Sequence, residues 1–193
     1  FVHEADVRKF VNLLATAPLY PFADEAMGQS LCHTLWYVPG VNAAHCLAQI
    51  LAEPTADNPF RNYKVVNVAG DSVSSQTSPL EEVRTAISTN ERTITLSCGR
   101  LTTGVSVPEW TAVFMLAGSA DTGCAHYFQT IFRCQSPYRE GIKAECYTFD
   151  FSPTRTLTAI DQYISNNLAS TEHEARVQKL TEFLHYCPTI VID

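Results

Sequence analysis

Gln129 and Arg133 lie four residues apart in the segment HYFQTIFRCQSPY, and this spacing places both side chains on one face of a helix. A guanidinium can donate to two phosphate oxygens at once and stays charged at any working pH. The amide of a glutamine both donates and accepts hydrogen bonds. The pair is therefore predicted to reach a phosphate and a partner group together.

A turn of small residues comes before this helix in the chain. The run TITLS (93–97) is predicted to be a buried strand, and TAVFML (111–116) the next strand, with the residues GRLTTGVSVP (99–108) between them. An open α/β sheet places its ligands beside the carboxyl ends of its strands. The 99–108 turn and the helix after residue 116 are therefore expected to share one ligand.

Apolar periodicity changes repeatedly between helical and extended types along the chain. Strands are predicted at 33–38, 63–70, 93–97, 111–116 and 145–151. Helices are predicted at 4–16, 43–53 with Asn42 as N-cap, from Pro79 onward, 122–134, 155–168 and 172–186. Strands that alternate with crossover helices are typical of an α/β fold, here a mostly parallel twisted sheet of about five or six strands with helices on both faces.

Length and composition favour one domain over residues 1–193, with a helical lead-in at 1–30 and C-terminal helices at 155–193. The net charge is −7, from 13 basic and 20 acidic residues, which excludes the basic footprint of a free-standing duplex-DNA binder. Seven cysteines without a CxxC pair indicate reduced thiols in a cytoplasmic protein. No apolar run is long enough for a membrane span, and the Cys and His spacing predicts no metal site.

Three segments resemble helicase motifs. TLSCGRLTTGVSVPEWTAVFML (95–116) resembles motif V of superfamily two helicases and translocases, in which a strand leads into a small-residue turn with Gly-x-(Asp or Ser)-x-Pro. HYFQTIFRCQSPY (126–138) resembles motif VI, and LWYVPGVNAAHCLAQIL (35–51) resembles motif IV. All three occur in family order. They make the chain similar to the second RecA-like domain of a two-domain motor, and LTTGVSVPEW with FQTIFRCQSP is most similar to the helicase-type domain of bacterial restriction-modification and mobile-element proteins.

The resemblance implies roles for the residues of motifs V and VI. Arg133 corresponds to an arginine finger, and Gln129 to a residue that sits beside the nucleotide or couples it to motif V. Gly104 would let the backbone approach the ribose or phosphates closely. Ser106 stands where many relatives have Asp.

The family's second arginine in motif VI is Ser136 in this chain. Two alternatives follow for the arginine finger. Either Arg133 carries the role alone, or Arg139 reaches in from the next loop.

For nucleic acid, the resemblance implies sequence-independent contacts with the DNA backbone. The residues concerned are Pro39, Gly40, Val41, Arg100, Thr102 and Thr103. These contacts would form a narrow strip on the surface, so an acidic domain remains compatible with a nucleic-acid partner.

The chain has no GxxxxGK(S/T) phosphate loop and no DExx motif, both of which a nucleoside triphosphatase needs. The resemblance implies that an N-terminal RecA-like domain of the same polypeptide binds most of ATP and Mg²⁺, so that the isolated chain is inactive. Nuclease or methyltransferase domains are further expected companions. The alternative is a non-catalytic α/β interaction module with a RecA-like core. A Rossmann-like enzyme is less favoured because no GxGxxG follows a strand.

Each candidate residue also has a structural interpretation. An arginine on an amphipathic helix is commonly solvated or ion-paired, and a glycine such as Gly104 is commonly a turn residue with positive φ. Thr102, Thr103 and Ser106 are also compatible with capping roles. Gln129 is compatible with a hydrogen bond to a neighbouring loop.

Overall fold

The computed structural model describes residues 3–70, 77–117, 123–139, 143–167 and 173–186. Within them, five strands form one sheet in the order β2-β3-β1-β4-β5, and every neighbouring pair is parallel. The strands are β1 (His33–Tyr37), β2 (Lys64–Asn67), β3 (Thr93–Ser97), β4 (Ala112–Met115) and β5 (Tyr147–Asp150). This arrangement confirms the predicted α/β fold with a parallel sheet.

Helices cover both faces of the sheet. They are α1 (Glu4–Thr16), α2 (Glu25–Ser30), α3 (Val41–Leu51), α4 (Pro79–Thr89), α5 (Cys124–Ile131), α6 (Pro153–Asn167) and α7 (His173–Tyr186). A short 3₁₀ turn, Phe132–Gln135, continues α5. No helix in the described ranges is long and apolar enough to cross a membrane.

Alternation along the strands divides the core into two clusters. On the first face, Trp36 and Phe114 pack with residues of α1 and α3, such as Leu14 and Leu47. The opposite face carries Leu35, Val113 and Met115, which pack with residues of α4, α5 and α6. Strands that are covered on both faces have continuous apolar sequences, and for this reason they can be predicted from the sequence.

Local sequence signals account for the start of α4. Ser78 and Glu81 form a capping box at α4, with Pro79 in the first helical position. The predicted N-cap of α3 was wrong. The helix begins two residues before the predicted start, because the Gly40 carbonyl already accepts the Ala44 N–H at 2.9 Å, and Asn42 lies in the first turn.

Two further differences from the sequence prediction concern helices. α2 was not predicted because it has only six residues and includes Gly28, although the Asp24 carboxylate caps it by accepting the Met27 N–H at 2.8 Å. α5 becomes a 3₁₀ turn at Phe132, so Arg133 lies in that turn and not in the α-helix itself. Residues 122, 168 and 172, which are predicted ends of three helices, lie outside the described residues.

A buried ion pair attaches α6 to the carboxyl ends of β4 and β5. The Arg155 guanidinium, 1% exposed, contacts both carboxylate oxygens of Asp150, which is 8% exposed, and donates to the Met115 carbonyl at 2.9 Å. The Thr156 hydroxyl donates to the same carboxylate at 2.7 Å. α6 is therefore fixed to the sheet by charge as well as by its apolar side chains.

Removal of one partner from this ion pair is expected to destabilise the chain strongly. Arg155→Met leaves the Asp150 carboxylate buried without its cation, and the free energy of unfolding should fall by about 3 kcal/mol. The control is Arg176→Met, because Arg176 pairs with Asp161 on the surface and such a pair contributes less than about 1 kcal/mol. Urea unfolding measures the free energy of unfolding of both variants. Equal losses in the two variants would contradict a special role for the buried pair.

Candidate functional site

The turns that follow β1 and β3 lie side by side, because all strands are parallel and end at the same edge of the sheet. The Val38 N–H donates to the Ser97 carbonyl at 2.8 Å, which extends the β1–β3 pairing to the last residue before Pro39. Pro39, Gly40 and Arg100 are thereby brought to the same sheet edge. This is the edge at which α/β sheets bind ligands.

The start of α3 is open at this edge. Gly40 is its N-cap and provides no side-chain cap, and Val41 is 47% exposed. The first-turn amides of a helix point outward and suit a phosphate oxygen. Gly70, which follows β2, approaches closely: a Cβ there would lie 2.7 Å from Val41 Cγ1, and its φ of +84° also favours glycine.

Side-chain hydroxyls close the first half of the 99–108 turn. The Ser97 hydroxyl accepts the Gly99 N–H at 3.3 Å and donates to the Arg100 carbonyl. The Thr102 hydroxyl donates to the Gly99 carbonyl at 2.6 Å. Leu101 has a φ of 61°, which is uncommon for a residue with a side chain and marks a constrained turn.

This geometry corrects one predicted contact. Thr102 is completely buried and its hydroxyl is engaged within the turn, so it is not placed on the surface as a backbone-binding residue. Thr103 is exposed and Arg100 is half-buried, so these two predicted contacts remain at the surface. The role of Thr102 in the structure is to hold the turn, which corresponds to the capping interpretation of the sequence.

Arg133 contacts the 99–108 turn directly. Its Nη1 donates to the Val105 carbonyl, and its Nε donates to the Gln129 carbonyl at 2.8 Å. The guanidinium is half-buried between the two carbonyls. The Gln129 side chain is exposed, so this residue orients Arg133 through its backbone. The structure therefore brings Arg133 together with the 99–108 turn.

Ser106 and Ser136 contact each other, with 3.1 Å between their hydroxyl oxygens. Ser106 occupies the position where many relatives have Asp, and Ser136 the position of the family's second arginine. A neutral hydrogen bond therefore joins the two segments at these positions. Gly104, with a φ of +70°, and Ser106 are both exposed on the outer side of the turn.

Arg139 is placed differently from Arg133. It is exposed, and its guanidinium stacks on the ring of its neighbour Tyr138, 5.4 Å from the centroid. Its φ of 29° is unusual for a residue with a side chain. The contacts described for Arg139 join it to Tyr138 and not to the 99–108 turn.

Lys143 joins the same two segments, and the sequence did not predict it. Its ammonium donates to the Pro108 carbonyl at 3.0 Å and to the Ser136 carbonyl at 2.9 Å. Burial lowers the pKa of Lys143, while nearby Cys134, Cys146 and Glu109 oppose that shift. A single lysine in an irregular segment before β5 has no spacing pattern, so no sequence signal indicated this role.

Apolar contacts hold the second half of the turn against the sheet. Val107 and Trp110 are completely buried on the second face, beside Val113 and Ile131. Trp110 therefore anchors the end of the turn in the core. Nearby, burial raises the pKa of the Cys134 thiol to about 12, so it stays protonated in the core at neutral pH.

The chain has the fold of a RecA-like helicase domain, a parallel five-stranded sheet with helices on both faces, and two solved structures illustrate the similarity. One is the Mss116p DEAD-box helicase domain 2 bound to an RNA duplex, with a TM-score of 0.53 and 13% identity, covering 92% of this chain and 66% of that chain. The other is the ATP-dependent Type ISP restriction-modification enzyme LlaBIII bound to DNA, with a TM-score of 0.50 and 14% identity, covering 91% of this chain and 14% of that one.

A curated relative is more similar in sequence. The chain is 31% identical over 162 residues to the putative type II restriction enzyme and methyltransferase RM.MpnORF110P C-terminus of Mycoplasma pneumoniae, covering 79% of this chain. The chain spans about a fifth of that protein, 22% of its length. No protein-family model matches the chain. The predicted resemblance to helicase domains, and to restriction-modification proteins among them, is confirmed.

Substitution of Gly104 tests the constrained turn. A Cβ on Gly104 would meet no atom within 4 Å, so the cost of Gly104→Ala comes from the positive φ alone and should be about 1 kcal/mol of unfolding free energy. Gly104→Asn is the matched control at the same position, because Asn tolerates this conformation better. The midpoint temperature of thermal unfolding should be highest with glycine at position 104, lower with asparagine and lowest with alanine. If asparagine and alanine are equally costly, the turn does not hold this conformation.

Proposed function

We propose that this chain is the second motor domain of an ATP-dependent DNA helicase or translocase. It supplies motifs IV, V and VI and an arginine finger to an ATP site that it shares with a first RecA-like domain. The observation that carries the proposal is the Arg133 guanidinium held against the Val105 carbonyl of the 99–108 turn. This contact places the guanidinium at the turn that the resemblance assigns to the nucleotide.

Arg133 suits the role of a finger because its orientation is fixed in advance. Two of the N–H groups of a five-donor guanidinium are directed to carbonyls, and the planar group has further donors that fit phosphate oxygens. An arginine supplied across an interface accelerates related phosphoryl transfers by about 10³ to 10⁵. The bound nucleotide, with its Mg²⁺, provides the phosphoryl group that is transferred.

The surroundings of Arg133 fit a nucleotide. Gly104 and Ser106 are exposed beside it, so backbone and hydroxyl groups are available to a ribose or phosphate. In this proposal the first domain binds most of ATP and Mg²⁺. The serine at 106 would offer a hydroxyl where relatives offer a carboxylate.

Nucleic acid is proposed to follow the sheet edge at the start of α3. The residues Pro39, Gly40 and Val41 present a helix N-terminus there, and Arg100 adds positive charge from the adjacent turn. The Mss116p domain is bound to an RNA duplex in its solved structure, and LlaBIII is bound to DNA in its own. Restriction-modification relatives favour DNA, and nuclease or methyltransferase domains as companions of the motor.

Replacement of Arg133 tests the finger. In the full-length gene product, Arg133→Ala should lower DNA-stimulated ATP hydrolysis by about 10³-fold or more while nucleotide affinity falls only modestly, because the guanidinium acts mainly in the transition state. Steady-state ATPase kinetics and nucleotide titration measure the two quantities.

The control for this experiment is Arg61→Ala. Arg61 is exposed just before β2, at the opposite edge of the sheet, and donates to a carbonyl of its own loop. The Arg61→Ala variant should hydrolyse ATP at the normal rate. Normal turnover in Arg133→Ala would remove Arg133 from the mechanism, and absence of DNA-stimulated hydrolysis in the unmodified gene product would favour the interaction module.

Arg100 tests the proposed nucleic-acid track. Arg100→Ala should weaken DNA binding by the full-length gene product to a similar extent for unrelated sequences, and should reduce the slope of log K against log salt by about 1. Fluorescence anisotropy over a salt series measures this slope, with Arg61→Ala again as the control. An unchanged slope would place the DNA elsewhere on the domain.

A further inference from the structure

We infer that Lys143 is a positioning residue for the arginine finger, and that its ammonium supplies the cation that motif VI lacks at Ser136. This inference rests on the proposed function. Lys143 lies outside the three helicase-like motifs, and it contacts both motifs V and VI.

Three contacts connect the 99–108 turn with Arg133, Ser136 and Lys143. We define the clasp as Arg133 with Val105, Ser106 with Ser136, and Lys143 with both Pro108 and Ser136. Arg133 reaches the turn at its middle, and Lys143 holds the end of the turn three residues later. Loss of either cation removes one charged contact and leaves the turn held by the other cation, the serine hydrogen bond and the buried Val107 side chain.

Charge explains why a lysine is effective here. The Ser106–Ser136 hydrogen bond is neutral and exposed to water, which competes for the same hydroxyls, so it contributes little. Hydrogen bonds from a charged donor are about twice as strong, and Lys143 makes two of them to carbonyls. The half-buried ammonium therefore dominates the attachment of the turn to the segment after Arg133.

The connection to Arg133 is through the backbone of the turn. Val105, which accepts from Arg133, is separated from Pro108 by two residues, of which Val107 is buried against the second face. A short segment fixed at both ends cannot shift at Val105 without moving Pro108. Lys143 thereby sets the position of the carbonyl that orients the guanidinium, without contacting the nucleotide itself.

Lys143→Met in the full-length gene product tests this assignment. It keeps the length of the side chain and removes the donors, so we expect kcat for DNA-stimulated ATP hydrolysis to fall about tenfold through misplacement of the finger. The KM for ATP should change less than about twofold, since the first domain binds most of the nucleotide. Lys143→Arg restores a cationic donor and should recover at least about half of kcat. An unchanged kcat in Lys143→Met overturns the inference.

A double variant separates positioning from general stability. If Lys143 acts through Arg133, Lys143→Met should lower the rate little further in an Arg133→Ala background. An undiminished further tenfold loss there would mean that Lys143 acts independently of Arg133, and would overturn the inference while leaving the finger intact.

Hydrogen exchange tests the clasp without any catalysis. The amides of Val105, Ser106 and Val107 should exchange at least about tenfold faster in Lys143→Met than in the unmodified chain, because local opening of the turn costs less. If the gene product shows no DNA-stimulated hydrolysis, the proposed function fails, and this measurement still decides the clasp. Unchanged exchange overturns the role of Lys143 whatever the ATPase result.

Discussion

The hydrogen bond from Arg133 to the Val105 carbonyl is the contact on which the functional interpretation depends. It connects Arg133, in the 3₁₀ turn that continues α5, to the 99–108 turn, which crosses the second face of the sheet from β3 to β4. The connection requires β3 and β4 to lie on either side of β1, so that the turn must pass over the sheet. Topology therefore brings the 99–108 turn to the segment that contains Arg133, and the buried side chains of the turn keep it in place.

The sequence predicted those parts of the structure that local rules determine. β3 was predicted with its observed ends because a short apolar run buried on both faces has few alternatives, and α4 carries Ser78, Pro79 and Glu81 as explicit start signals. The start of α3 was wrong because Asn42 is a stronger capping type than Gly40, and the observed start depends on backbone geometry. Local propensity cannot distinguish those two outcomes.

The residues of the site were predicted less evenly, because type and spacing do not report contacts between distant segments. Arg133 was identified because its motif has a regular pattern, and the structure places it at the predicted turn. Thr102 was assigned to nucleic-acid contact from the resemblance to motif V, although its hydroxyl closes the turn from within. Lys143 was missed because its partners are backbone carbonyls, one of them 35 residues away in the chain.

The central position of β1 has a consequence for synthesis of the chain. Its partners are far away along the polypeptide: His33 contacts Thr93, 60 residues later, and Thr111, 78 residues later. A ribosome adding about 5 to 20 residues each second would leave this strand without its neighbouring strands for several seconds. Leu35 and Trp36 are completely buried in the finished sheet and would wait for those neighbours throughout that interval. Helix α1 is synthesised before β1 and packs on the face of Trp36, so it is the element in place to cover that side chain first.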